Sequence, residues 1–131
     1  QMENDYEKAI KFFKKSIISF PGSHEAYSNL SRILLEIGQL DLAEKYLIKV
    51  IRLKPNFLMA YQNLFNVYIK SNKRKKARDV LNECLKIAPN NPLIISNIGR
   101  FLLEEDNLDE AKKYLKKAYY YRYRYMVDLS Q

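Results

Sequence analysis

The chain has 131 residues, 47% of them apolar, which is enough for a continuous hydrophobic core, and a formal net charge of +8. Its single cysteine excludes an intrachain disulfide, and no apolar run approaches the roughly 18 residues of a membrane-crossing helix. The positive balance favours acidic partners without choosing among peptide, nucleic acid and anionic surface.

Three glycines and four prolines are all that interrupt the chain. Apolar residues recur at three- and four-residue spacing, so helices are predicted throughout. Residues 4–23, NDYEKAIKFFKKSIISFPGS, read as one helix closed by Pro21. Residues 24–57 read as a helix pair. Its first helix sets Ala26, Tyr27, Leu30, Ile33, Leu34 and Ile37 on one stripe and Glu25, Ser28, Asn29, Arg32 and Glu36 on the other. Residues 58–91 and 92–125 repeat the pair, and 126–131 form a tail or an extension of the last helix. Gly38, Asn72 and Asp106 mark the turn inside each pair, with Asn4 in the equivalent place upstream, because these residues tolerate a left-handed conformation or cap the next helix. Pro55 and Pro89 close second helices as Pro21 does, and Pro92 suits a first helical turn.

The pairs are copies of one unit. Tyr27, Leu30, Ala43, Leu47 and Pro55 return 34 residues later as Tyr61, Leu64, Ala77, Leu81 and Pro89. A further 34 residues bring Ile95, Ile98, Ala111 and Leu115, with Tyr123 where a third proline would fall. This pattern resembles the tetratricopeptide repeat over residues 24–125: a bulky residue, leucine, a small residue and an aromatic on the first helix, then alanine, a bulky residue and proline on the second. Tyr6, Ala9, Phe13 and Pro21 fit the second half of the same unit, so the chain reads as a half unit plus three full ones, a fragment of a longer protein. The small residue is Ser31 and Gly99 in two units but Phe65 in the middle one, where helix packing should differ. The resemblance implies an all-α fold, a right-handed superhelical solenoid of antiparallel helix pairs forming a single domain.

Catalytic constellations are missing from this pattern. One histidine, His24, sits at an inter-unit turn and reads as a capping or solvated residue, and Cys84 reads as core. Glu104, Glu105, Asp106, Asp109 and Glu110 suit a helix N-terminus better than a metal cage. The chain is therefore expected to be non-enzymatic, without cofactor or metal, and cytoplasmic.

The polar stripe of the first helices carries the functional expectation. Asn29, Asn63 and Asn97 stand 34 residues apart, followed one turn later by Arg32, Asn66 and Arg100, with Gln62 beside them and Leu35, Ile69 and Leu103 forming an apolar strip. In tetratricopeptide proteins this face lines the inner groove, so the resemblance implies a trough for an extended, acidic protein segment. An asparagine amide can pair with a peptide unit of any sequence, because it both donates and accepts. Two alternatives stand beside this one. Lys73, Arg74, Lys75, Lys76 and Arg78 surround one turn, and tyrosine and arginine alternate through YYYRYRY at the end, so nucleic acid or an anionic surface is one alternative partner. Homo-oligomerisation through Phe12, Phe13, Tyr121 and Tyr125 at exposed array ends is the other.

Overall fold

A computed structural model describes residues 2–130; the side chains of residues 2–4, Tyr125 and Ser130 fall outside the description. The helices are α1 (Met2–Ser19), α2 (His24–Glu36), α3 (Leu40–Leu53), α4 (Leu58–Lys70), α5 (Arg74–Ile87), α6 (Pro92–Glu104) and α7 (Leu108–Ser130). No strand occurs among the described residues.

Local chemistry accounts for the boundaries. Gly38, Asn72 and Asp106 take positive φ of 85°, 58° and 61°, the left-handed conformation that glycine, asparagine and aspartate adopt most readily. Each is followed by a Schellman closure: the amides of Gln39, Lys73 and Asn107 donate to the carbonyls of Leu34, Tyr68 and Leu102 at 2.8, 2.8 and 2.9 Å. Ser23, in an extended conformation, caps α2 by accepting the amide of Ala26 at 3.3 Å. Asn91 caps α6, accepting from Leu93 and Ile94 at 2.9 and 3.3 Å, with Pro92 in the first turn. The expected turn at Asn4 is absent, since α1 already runs from Met2. No left-handed residue or Schellman closure interrupts the chain there. With tyrosine rather than proline at position 123, α7 runs on for 23 residues, against 14 in α3 and α5.

The chain divides between Val80 and Leu81, within α5, into two compact units. In the first, α2 packs against α1, α3 and α4. Leu30 of α2 and Leu47 and Val50 of α3 are wholly buried. The Tyr6 hydroxyl donates to Glu36 at 2.9 Å and ties α1 to the end of α2. Tyr68 of α4 is buried, and its phenol is pushed well above the usual tyrosine range, chiefly by burial and then by its hydrogen bond to the carboxylate of Glu44 on α3 and that group's charge.

In the second unit α6 packs against α7. Ile94, Ile95 and Ala111 are wholly buried and Ala118 nearly so. The close approach is at Gly99, where an added Cβ would lie 2.7 Å from both Cγ and Cδ2 of Leu115.

Candidate functional site

In the first unit the polar positions of α2 and α4 lie on helices that touch each other. Asn29, Asn63 and Gln62 are half-buried, while Arg32 and Asn66 are exposed. Half-burial holds the amides near the surface with part of their hydrogen-bonding capacity open, and the longer Arg32 stands in solvent one turn after Asn29. Ile69 of the apolar strip is half-buried here. Leu35, expected in the same strip, is only 7% exposed, and Ser28, expected on the polar stripe, is buried to the same degree. Both differ from the simple two-faced helix because α2 is flanked by three helices, leaving only a narrow polar edge. Ser31 is fully buried and turns its hydroxyl back onto the carbonyl of Tyr27 at 2.7 Å, so it needs no partner outside the helix.

In the second unit Asn97 is half-buried and Arg100 exposed, and the two are joined: Nη2 of Arg100 donates to Oδ1 of Asn97 at 2.6 Å. The bond holds the guanidinium against the amide one turn before it, leaving the remaining guanidinium donors and the asparagine NH2 for a ligand. Leu103 is 42% exposed on the same helix.

The other candidate residues are dispersed. Lys73, Lys75, Lys76 and Arg78 are exposed around the start of α5, Arg74 is half-buried, and Lys76 lies 5.7 Å from the centre of the Tyr68 ring. On α1, Phe12 is exposed and meets the half-buried Phe13 edge to face at 5.4 Å. Tyr121 is half-buried, and Tyr125 lies outside the described side chains. His24 does not cap α2, a role Ser23 performs. Its ring instead packs edge-on against Phe57 at 5.2 Å. Cys84 is wholly buried, and burial raises its thiol to about 11, so the thiolate is scarce at neutral pH. Among the described residues no group of histidine, cysteine and carboxylate side chains could hold a metal ion, and no helix is long and apolar enough to cross a membrane.

A cavity of about 750 Å³ lies in the second unit where α7 outruns the start of α6. Asn90, Pro92 and Leu93 form one wall, and Tyr120, Tyr121, Arg122, Arg124 and Asp128 the other. Sequence reasoning did not find it. The signal was the missing third proline: once α7 continues past residue 123, an antiparallel pair must leave its last turns beyond the beginning of α6.

Solved structures with a similar fold include a crystal structure of MamA, 27% identical, with a TM-score of 0.85 over 92% of this chain and 71% of that one. A second MamA crystal structure is 28% identical with a TM-score of 0.80, covering 91% of this chain and 65% of that one. MamA 41-end from Desulfovibrio magneticus RS-1 shares the fold at 21% identity, with a TM-score of 0.81 over 92% of this chain and 68% of its own length. No curated protein matches the chain. The sequence profile of the tetratricopeptide repeat matches residues 2–66 and 68–119. Together with the 34-residue period and the left-handed turns inside the helix pairs, this match places the chain in the tetratricopeptide repeat family, whose fold is that of a protein-interaction scaffold.

Proposed function

We propose that the chain is a non-catalytic scaffold that holds an extended, acidic segment of a partner protein in the cytoplasm, needing no cofactor. In the first unit Asn29 and Asn63 engage the backbone of the segment and Arg32 its carboxylates; in the second unit, taken by itself, Asn97 and Arg100 offer an amide and a guanidinium of the same kind on α6. The observation that carries this reading is the pair of half-buried amides on touching helices α2 and α4, beside an exposed arginine. A buried amide would be consumed by the core. A fully exposed one would have to be ordered by its ligand at an entropic cost. Half-burial restricts the side chain while leaving it reachable.

The test is calorimetric titration with an acidic peptide selected against the wild-type protein. Asn29→Ala together with Asn63→Ala should weaken binding at least tenfold, about 1.4 kcal/mol, with helicity unchanged, and adding Asn97→Ala reports on the second unit separately. Unchanged affinity in a protein of unchanged helicity would overturn the assignment.

Self-association is a second reading, favoured by α1 and the residue after it: Phe12, Ile18 and Phe20 are 64%, 81% and 69% exposed. Such apolar surface tends to be covered by another protein surface. Sedimentation equilibrium should then show a mass that rises with concentration and falls back to the monomer in Phe12→Glu/Ile18→Glu. A constant monomer mass for the wild type removes this reading.

A further inference from the structure

The cavity between the start of α6 and the end of α7 belongs to neither reading. Its chemistry is layered. Pro92 and the half-exposed Leu93 form an apolar wall, and Tyr120 and Tyr121 add ring surface with hydroxyls able to stay wet. Arg122 and Arg124 bring two exposed guanidinium groups, and no carboxylate of a described residue forms an ion pair with either. The amides at the start of α6 are already taken up by the Asn91 cap, so the helix end itself offers little to a ligand. Attraction for an anion rests on the arginines.

We propose that this cavity is a second docking site, for a short acidic stretch of a partner protein that carries apolar side chains among its carboxylates. Tyr120, Arg124 and Asp128 follow one another at four-residue steps and so line one face of α7 for about 12 Å, the reach of three or four residues of extended chain. Carboxylates of the segment pair with Arg122 and Arg124, apolar side chains lie on Leu93 and the tyrosine rings, and the Asp128 carboxylate accepts a backbone N–H of the segment. Asp128 also decides between ligand classes. A phosphodiester backbone has no N–H to give it, whereas a peptide backbone supplies a donor at every residue except proline. The site uses none of the residues on α2 and α4, so it stands or falls independently of them.

The experiment is a titration of isotope-labelled protein, followed by amide chemical shifts, with a blocked hexapeptide of four glutamates and two leucines. Shifts should concentrate at Leu93, Tyr120, Tyr121 and Arg124. Arg122→Glu with Arg124→Glu should weaken binding at least tenfold at unchanged helicity, which is expected to survive because both side chains are exposed. Asn29→Ala/Asn63→Ala should leave the titration of these amides unchanged. The proposal is overturned if millimolar peptide moves none of these amides, if shifts fall on α2 and α4 alone, or if the charge reversal has no effect. It is equally overturned if an oligothymidylate of similar charge occupies the same amides more tightly than the peptide.

Discussion

Leu30→Ala should destabilise the protein by about 4 kcal/mol, within the range for truncating a fully buried leucine. In a chain of this length that is a fall in melting temperature on the order of 10–15 °C. Leu30 has no exposed surface, and its helix is the one that α1, α3 and α4 all touch. The lost methyl groups leave a void in a fully buried position of a helix held by three others, so α2 cannot shift to close it without disturbing its contacts with them. Arg32, two residues on and exposed, provides the contrast: Arg32→Ala should change stability by no more than about 0.5 kcal/mol. Chemical denaturation of both variants checks the pair. A loss below about 1 kcal/mol for Leu30→Ala would mean that α2 is not the packed centre of its unit.

Gly99→Phe should cost about 3 kcal/mol, at the upper end of what overpacking a helix contact typically costs. The substitution installs in α6 the residue that α4 carries at the equivalent position, the half-buried Phe65. Around Gly99 there is no room: even a methyl would stand 2.7 Å from two side-chain atoms of Leu115 and 3.5 Å from its backbone nitrogen. Leu115 cannot simply swing aside, because Cγ, close to its own backbone, is one of the crowded atoms. The α6–α7 pair would have to separate. Leu115→Ala in the same chain should recover a good part of the loss, so that the double variant is more stable than the sum of the single changes. Gly99→Ala should cost less than Gly99→Phe, since a better helix propensity of about 1 kcal/mol offsets part of the crowding. Strict additivity of Gly99→Phe and Leu115→Ala would show that the two positions do not meet.

Much of this fold is legible in the residues themselves. The 34-residue period, the helix pairs and the turns at Gly38, Asn72 and Asp106 follow from local rules: apolar spacing sets the helices, and left-handed tolerance sets where they end. Asn4 misled because the same residue type does not enforce a turn by itself. A helix continues wherever its neighbours allow it. The continuation of α7 depended on a residue that is not there, a proline at position 123.

Burial on the candidate faces was not legible in the same way. Ser28 and Leu35 share a helix with Asn29 and Arg32, and their spacing along the chain cannot tell which of them a third helix will cover. The bond from Arg100 to Asn97 is likewise a matter of rotamer and local surroundings, although its one-turn spacing permits it. The cavity beside Arg122 and Arg124 exists only because two helices of unequal length lie side by side. Periodicity within a segment is a property of the chain, so reading it suffices to find helices and repeats. Which part of a helix surface stays open is a property of its neighbours, and only their packing in three dimensions decides that.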